Sequence, residues 1–321
     1  MRIRGLRHTR RRRPVTTALA GLTAAACCVG MAGADPSGAT PDMSDAVPVA
    51  ASEPVGPPQD DFASAFAYSL AHPTAVPSGA NDFACRPDAA HPRPVVLVHG
   101  TLENRYDNWA ALAPRLKEAG YCVFALNHGG SSGPLLGTED MTTSSRQLAD
   151  FVDRVLAATG AAEVDLVGHS QGGMMPRHYI KNLGGAAKVD KLVALTPSNH
   201  GTTFSGLGLL ALVIPGGNAV LGAGCKACSQ QLVGSGFLRE LNAGAETDPG
   251  VTYTVITTRY DEVVTPYTSA YLDAAPNVTN VTLQDLCPGD FTDHIGITYD
   301  DLATGLVFNA LDPAHAQRPA C

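Results

Sequence analysis

A serine stands at the centre of a glycine-flanked pentapeptide, Gly168-His169-Ser170-Gln171-Gly172. The apolar run from Val164 to Val167 before it predicts a buried strand, and helix-forming residues follow from Met174. A sharp strand-to-helix turn of this kind strains the backbone at the serine, needs small flanking residues and exposes the hydroxyl above the sheet edge. The start of the helix favours developing negative charge. The predicted chemistry is therefore nucleophilic attack by Ser170 on a carbonyl carbon, which requires a general base.

The candidate bases are the histidines downstream of Ser170, because in this type of site the serine precedes an acid and the acid precedes a histidine. Four histidines qualify by position: His178, His200, His294 and His315. His178 would fall on the helix after the turn, too near to fold back, and His315 is in a Pro-rich tail. His294 lies in a loop between the last predicted strand and another helix, so it is the predicted base.

Asp261 is the predicted acid, because it directly follows a predicted strand over 251–256. A carboxylate at the carboxyl end of a strand can orient the imidazole and stabilise the imidazolium without taking the proton itself. The alternative role for Asp261 is capping of a turn. The neighbouring Glu262 is not favoured, and the rivals Asp290 and Asp293 are close to His294 in sequence, which makes the required geometry difficult.

A tetrahedral oxyanion needs backbone N–H donors. One is expected from Gln171, the residue after the nucleophile, and the other from Thr101, in the loop after the first core strand. Gly100 allows close approach of that loop. We expect His99 to bury its ring and hydrogen-bond the loop, and His169 to serve packing rather than proton transfer.

The elements that must position these residues alternate between strands and helices, which predicts an α/β fold with a mainly parallel central sheet flanked by helices. Strands are predicted over 95–98, 121–126, 164–167, 192–195, 251–256 and 278–283. A helix is predicted from about Trp109 to Ala119, ending at Gly120. Another should begin at Ser144 with a capping box to Gln147 and bury a face that includes Leu148 and Phe151. One domain over 61–321 accommodates all of them.

The N-terminus differs in composition from the rest of the chain. Residues 1–34 combine seven Arg, an apolar stretch over 15–32 and a small-x-small end, which predicts a secretory signal peptide rather than a permanent membrane span. A twin-arginine route and lipidation at Cys27 or Cys28 stay open. Residues 35–60 are predicted to be a disordered, Pro- and Ala-rich linker. Cleavage would move the formal net charge from −8 to −15, which argues against a nucleic-acid partner.

Six cysteines would remain after cleavage, and an even number in an exported chain favours disulfides. Many connectivities are possible. We predict the pairs that bracket local units: Cys85–Cys122, Cys225–Cys228 and Cys287–Cys321. The alternative for Cys225 and Cys228 is a redox-active CxxC, which their Gly-rich surroundings disfavour. No His stands at zinc spacing from them, so no metal site is expected.

Five motifs together resemble secreted actinobacterial lipases of the class 2 type, within the α/β-hydrolase superfamily. They are His99-Gly100-Thr101, GHSQGG at 168–173, TPSNHGT at 196–202, YDEVVTP at 260–266 and DHIGI at 293–297. The resemblance spans residues 85 to 310. It implies hydrolysis of acylglycerols and other carboxylic esters through an acyl-enzyme and without a cofactor, with the triad Ser170, Asp261 and His294. It also implies Thr101 and Gln171 at the oxyanion hole, supports Cys85–Cys122, and transfers no calcium site.

The partner expected from this resemblance is an ester or lipid substrate, met either in solution or at a lipid–water interface, and the chain is expected to act as a monomer. The stretch from Phe204 to Leu221 either lines an acyl pocket, forms a lid or packs in the core. Tyr106 and Trp109 either border the pocket or pack in the core. A triacylglycerol lipase is the predicted function. The alternatives are a short-chain carboxylesterase, a polyester-cleaving hydrolase and an acyltransferase with the same triad.

Overall fold

Six parallel strands form the central sheet. The structure, a computed structural model, describes residues 53–130, 133–205 and 222–321. The strands of the sheet are β3 (Val95–Val98), β4 (Val123–Leu126), β5 (Val164–His169), β6 (Val189–Leu195), β7 (Thr252–Thr257) and β8 (Val278–Thr282), and their spatial order is β4-β3-β5-β6-β7-β8. The short strands β1 (Val55–Gly56) and β2 (Val76–Pro77) pair separately.

Helices cover both faces of the sheet. The α-helices of the described residues are α1 (Phe62–Ala71), α2 (Arg105–Trp109), α3 (Leu112–Glu118), α4 (Met141–Thr159), α5 (Gln171–Met174), α6 (Pro176–Asn182), α7 (Lys226–Gln230), α8 (Gly236–Leu241), α9 (Leu283–Leu286) and α10 (Asp301–Leu311). Side chains of α4, α6 and α8 pack with Val96 and Val98 on one face, whereas α3 and α10 pack with Val95 and Leu97 on the other. This alternation along β3 confirms the predicted α/β fold, since successive strand residues face opposite layers.

The strand order changes direction beside β3. The chain passes from β3 to β4 on one side and then returns to place β5 on the other side. Loops after β3 and β5 therefore diverge, and a crevice opens at the carboxyl ends of these two strands. Thr101 follows β3 and Ser170 follows β5, so the topology brings the predicted nucleophile and oxyanion loop to this crevice.

Helix α4 begins three residues before the predicted start. Asp140 is the N-cap, and its side chain accepts a hydrogen bond from the backbone N–H of Thr142 at 2.8 Å. Ser144 lies inside the helix, and Gln147 instead accepts from the backbone N–H of Gly129. The predicted capping box was wrong because Asp is an equally good cap and the earlier start buries Met141.

Most of the helix predicted from Trp109 to Ala119 is present as α3, whereas Trp109 is the last residue of a separate helix, α2. Helix α2 begins earlier, at a capping box between Asn104 and Asp107. A continuous helix would place Pro114 in its interior, where the ring clashes with the preceding turn and a backbone donor is lost. The break after Trp109 places Pro114 in the first turn of α3, where proline is tolerated. Gly120 adopts the expected left-handed conformation, with φ of 98°.

The folded part of the chain includes residues that we expected in the linker. Val55–Gly56 pairs with Val76–Pro77, and the backbone carbonyl of Pro57 accepts a hydrogen bond from the Tyr106 hydroxyl at 2.7 Å. Glu53 also forms an ion pair with Arg105 at 2.9 Å. These contacts hold residues 53–60 against the domain. The predicted signal peptide and the start of the predicted linker lie outside the described residues, and in the described ranges no helix is both long and apolar enough to cross a bilayer.

Three disulfides have the predicted connectivity. They join Cys85 to Cys122, Cys225 to Cys228 and Cys287 to Cys321. The first links the segment before β3 to the start of β4, and the third ties the C-terminal residue to the end of α9. Cys225 and Cys228 are bonded to each other at the start of α7, so they stabilise a short helix.

Candidate active site

The turn that carries Ser170 is forced by close backbone approach. Ser170 adopts φ of 52° and ψ of −120°, which is unfavourable for a residue with a side chain. A Cβ on Gly168 would lie 1.8 Å from the carbonyl oxygen of Gly172, and one on Gly172 would lie 2.1 Å from that of Val98. No other residue type fits at either position. The chain therefore reverses within one residue, between β5 and α5, and Ser170 lines a cavity at the crevice.

The predicted base and acid are in contact. His294 Nδ1 lies 3.0 Å from Asp261 Oδ2, and both side chains are buried. Because a carboxylate only accepts hydrogen bonds, Nδ1 carries the proton and Nε2 is left as the basic nitrogen. His294 and Ser170 line the same cavity.

Asp261 has two roles at once. Its Oδ1 accepts hydrogen bonds from the backbone N–H groups of Val263 at 3.0 Å and Val264 at 2.7 Å, and both Oδ1 and Oδ2 lie 3.0 Å from His294 Nδ1. From the sequence alone, turn capping and orientation of the imidazole are alternative roles for Asp261. They coexist because a carboxylate has two oxygens and the turn after β7 fixes the direction of both.

The backbone of His294 is held on both sides. Its carbonyl oxygen lies 2.9 Å from His169 Nε2, and its N–H donates to Glu262 Oε2 at 3.3 Å. Sequence reasoning missed both contacts. The rival acids bond locally instead: Asp290 accepts from the N–H of Thr292, and Asp293 from that of Gly296.

The two predicted oxyanion donors are linked through their side chains. Thr101 Oγ1 donates to Gln171 Oε1 at 3.0 Å, and Gln231 Nε2 donates to Thr101 Oγ1 at 2.8 Å. Within the described ranges neither backbone N–H, of Thr101 or of Gln171, has an acceptor. A developing oxyanion needs backbone amide donors of this kind beside the serine hydroxyl. Gln231 carries no sequence signal, because it meets Thr101 from 130 positions away.

His99 shapes the oxyanion loop, as predicted. It is fully buried, its Nδ1 donates to the carbonyl of Gly100 at 2.8 Å, and its Nε2 accepts from the N–H of His128 at 3.1 Å. Burial, followed by repulsion from His128, holds the pKa of His99 well below its ordinary value. The ring is therefore neutral and serves the loop rather than proton transfer.

His169 does more than pack. Its Nδ1 lies 2.9 Å from Glu103 Oε2, and neither side chain reaches solvent. Burial alone would lower the pKa of His169, but the charge of Glu103, its hydrogen bond and the carbonyl of His294 outweigh burial and raise it. A buried carboxylate–imidazole pair thus lies directly beneath the Asp261–His294 pair.

The cavity above Ser170 is lined mainly by apolar side chains. Its volume, as enclosed by the described residues, is about 420 Å³. Phe62 and Phe66 of α1 form one wall, and Leu135, Val263 and Ile295 contribute elsewhere. Such a cavity suits an aliphatic chain better than a polar or charged group.

Other proposed pocket residues have different positions. Tyr106 and Trp109 are fully buried and pack in the core, not at the cavity. Phe204 lines the cavity, whereas residues 206–221, the remainder of the proposed lid or acyl wall, are outside the described ranges.

The remaining downstream histidines have partners elsewhere. His178 is bonded to Ser145 at 2.8 Å, His200 to Glu246 at 2.6 Å, and His315 to Asp312 at 2.8 Å. In the part of the chain that the structure describes, no cluster of three or more His, Cys, Asp or Glu side chains is arranged to bind a metal ion.

The sequence model of the Lipase (class 2) family matches residues 92–294, which is more than half of the chain. The match includes Thr101, Ser170, Asp261 and His294. The chain belongs to this family. The acid and the base that are in contact in the structure therefore both lie in the segment that matches the family.

Two triacylglycerol lipases are similar in sequence over a limited segment. One, from Pseudarthrobacter phenanthrenivorans, is 38% identical over 114 residues, which is 33% of this chain and 32% of that protein. The other, from Burkholderia plantarii, is 37% identical over 114 residues, 33% of this chain and 28% of that protein. The matched segment spans less than a third of either relative.

Two solved structures share the fold of this chain. Lipase B of Aspergillus fumigatus superposes with a TM-score of 0.59 at 23% identity, covering 76% of this chain and 56% of that one. The mature form of the Bacillus licheniformis lipase BlEst2 gives a TM-score of 0.53 at 20% identity, with coverages of 70% and 94%. Both support the α/β-hydrolase fold.

Because the backbone at Ser170 is strained, a glycine variant at this position should be more stable than an alanine variant. We expect Ser170→Gly to be more stable than Ser170→Ala by about 1 kcal/mol, because only glycine adopts this backbone conformation without steric cost. Urea unfolding measures the difference. At Ser64, an exposed position inside α1, the same pair should show the opposite order, since glycine weakens a helix. If alanine is the more stable residue at both sites, the turn is not strained.

Proposed function

We propose that this class 2 lipase is a serine ester hydrolase whose natural substrates are acylglycerols. The observation that carries the proposal is the Asp261–His294 contact beside Ser170, at the floor of an apolar cavity. This combination supplies an activated nucleophile and a binding site for an aliphatic acyl chain. The similarity to two triacylglycerol lipases supports the same substrate class.

In acylation, Ser170 Oγ attacks the ester carbonyl carbon while its proton passes to His294 Nε2. Asp261 keeps the imidazole in the tautomer that accepts this proton and stabilises the imidazolium. Negative charge then develops on the former carbonyl oxygen, where the N–H groups of Thr101 and Gln171 can donate to it. When the C–O bond to the alcohol breaks, His294 returns the proton to the leaving oxygen, and the acyl group stays on Ser170.

In deacylation, the same groups act on water. His294 Nε2 takes a proton from the water molecule as its oxygen attacks the acyl carbon, and the oxyanion is held by the same two amides. Collapse of this intermediate returns the proton to Ser170 Oγ and releases a carboxylic acid. The burial of Asp261 strengthens its interaction with the imidazolium in both halves of the reaction, because a low local dielectric weakens screening.

Triad substitutions test the proposal directly. Ser170→Ala and His294→Gln should each lower kcat for p-nitrophenyl octanoate by about 10⁴-fold or more, and Asp261→Asn should lower it strongly by favouring the wrong tautomer. The measurement is steady-state kinetics on protein whose folding has been checked by circular dichroism.

Two other downstream histidines provide matched controls for these variants. His178→Gln and His200→Gln remove imidazoles bonded outside the cavity, so kcat should stay at the wild-type value. A His200→Gln variant as inactive as His294→Gln would contradict the assignment. Product analysis with added alcohol separates hydrolysis from acyl transfer: a predominance of transester over free acid would identify an acyltransferase.

Acyl-chain preference should depend on the wall formed by α1. Phe66 lines the cavity and stacks on Phe62, with ring centroids 5.7 Å apart. Phe66→Ser should lower kcat/KM for an octanoyl ester about tenfold, the loss expected from removing apolar contact, and leave an acetyl ester nearly unaffected. All esters are used below their solubility limits.

Phe291 serves as the control for Phe66, because it is 72% exposed and does not line the cavity. Phe291→Ser should leave both rates unchanged. If Phe66→Ser slowed acetyl and octanoyl esters equally, α1 would not contact the acyl chain. A wild-type preference for acetyl over octanoyl esters would favour the short-chain carboxylesterase.

We further propose that the protein is exported. Three disulfides among the described residues suit an oxidising compartment, and the basic and then apolar N-terminus has the layout of a signal peptide. The secreted form should begin at or after Asp35. N-terminal sequencing of protein from the culture medium measures this, and an intact Met1 in that fraction would contradict cleavage.

A further inference from the structure

Glu103 and His169 lie beneath the proposed triad and take no part in the steps derived above. They are 3% and 0% exposed. Removing two charged groups from water is costly, and the cost is offset when they meet each other and form further hydrogen bonds. Among the described residues Glu103 Oε1 has no hydrogen-bond partner, so the contacts of this carboxylate are made by Oε2. Their contacts therefore show what the pair can hold in place.

Glu103 holds the oxyanion loop. Its Oε2 accepts a hydrogen bond from the backbone N–H of Gly100 at 2.8 Å, one residue before Thr101. A Cβ on Gly100 would lie 2.3 Å from the same oxygen, so the carboxylate packs directly on this part of the chain. Asn108 Oδ1 is a second acceptor for that N–H, at 3.1 Å. A shift of the Glu103 carboxylate would thus move the loop that carries Thr101.

His169 holds the backbone of the proposed base. Its Nε2 lies 2.9 Å from the carbonyl oxygen of His294, and the two imidazole rings are 4.9 Å apart. His169 Nδ1 faces the Glu103 carboxylate and Nε2 faces the His294 carbonyl, and Asn108 Nδ2 also lies 3.1 Å from Nδ1. Hydrogen bonds from the ring to both oxygens require a proton on each nitrogen, and the negative charge of Glu103 favours that protonated form.

The surroundings of His169 fit this protonated state. The charge of Glu103 raises the pKa of His169, and the charge of Asp261 raises it further. The buried His99 is close enough for the two imidazoles to repel each other, and His99 is the one whose pKa falls. The charges of Glu103 and Asp261 thus raise the pKa of His169, while burial and repulsion from His128 lower the pKa of His99.

We infer that Glu103 and His169 act as a pair of positioning residues for the ester hydrolysis proposed above, and the inference rests on that function. One carboxylate oxygen fixes the loop that carries Thr101, and the imidazole that it binds fixes the main chain of His294. The pair thereby keeps the oxyanion donors and the base in register on either side of Ser170.

The effect should fall on kcat rather than on KM. Substrate binding depends mainly on the apolar walls of the cavity. Glu103 and His169 also border this cavity, but they are only 3% and 0% exposed, so they offer almost no surface to an acyl chain. Alignment of Thr101 and His294 matters most in the transition state, where a displacement of about 1 Å can cost on the order of 10²-fold in rate. A side chain that only stabilised the fold would lower the amount of active protein and leave the kcat of the folded molecules unchanged.

Kinetics of Glu103→Gln, His169→Gln and the double variant test the inference. We expect each single variant to lower kcat for p-nitrophenyl octanoate by about 10- to 100-fold with little change in KM. The double variant should be no slower than the slower single variant, since residues that act as one unit are not additive. Rates are normalised to the folded fraction from urea unfolding.

Asp165→Asn provides the matched control. Asp165 is a buried carboxylate on the same strand, β5, but at its opposite end, where it lies 3.7 Å from Lys191. Its substitution perturbs a buried ionic contact far from the cavity, so the kcat of the folded protein should equal that of the wild type. The inference is overturned if Asp165→Asn lowers kcat as much as Glu103→Gln, if a folded Glu103→Gln keeps wild-type kcat, or if the two single losses multiply.

Proton NMR tests the pair without relying on activity. A strongly downfield imidazole N–H resonance that disappears in His169→Gln should also be present in Ser170→Ala and be lost in Glu103→Gln. Absence of that resonance from the wild type, or its persistence in Glu103→Gln, would overturn the pair itself. A wild type that shows the resonance but hydrolyses no ester would instead refute the proposed function.

Discussion

The site depends on the contact between the start of α5 and strand β3. At Gly172 the two segments approach so closely that a Cβ would lie 2.1 Å from the carbonyl oxygen of Val98. This approach requires the chain to leave β5 and enter the helix through a single residue with positive φ. The serine hydroxyl is consequently fixed at the carboxyl edge of the sheet. Every other functional group is arranged around a position that backbone packing has already determined.

The second layer of the site is a network of buried hydrogen bonds. His294 is held at three points: its ring by Asp261, its carbonyl by His169 and its N–H by Glu262. Because Asp261, His169 and His294 are shielded from water, an unpaired donor or acceptor among them would be costly, and their hydrogen bonds have few alternative arrangements, whereas Glu262 is exposed. Burial thus has two effects. It leaves the rings few other hydrogen-bond partners, which fixes their orientation, and its low dielectric strengthens the interactions between the charges that form during the reaction.

The sequence predicted the elements and groups with local signals. Apolar runs marked the strands, and the glycines around Ser170 marked the turn, because backbone crowding leaves a direct trace in residue type. Asp261 and His294 could be chosen from their positions after strands. Glu103 and Gln231 could not, because they act through contacts 66 and 130 positions away in the chain. The start of α4 was misplaced for a different reason: Asp140 and Ser144 are both good caps, and tertiary burial of Met141 decides between them.

Active-site labelling tests whether His294 and the turn at Ser170 together make the Ser170 hydroxyl nucleophilic. The wild-type protein is treated with a fluorophosphonate, and its intact mass and peptides are analysed by mass spectrometry. We expect one phosphonyl group per molecule, attached to Ser170, and greatly slowed labelling in His294→Gln. Labelling at another serine, persistent labelling of Ser170→Ala, or an unchanged rate in His294→Gln would contradict this expectation.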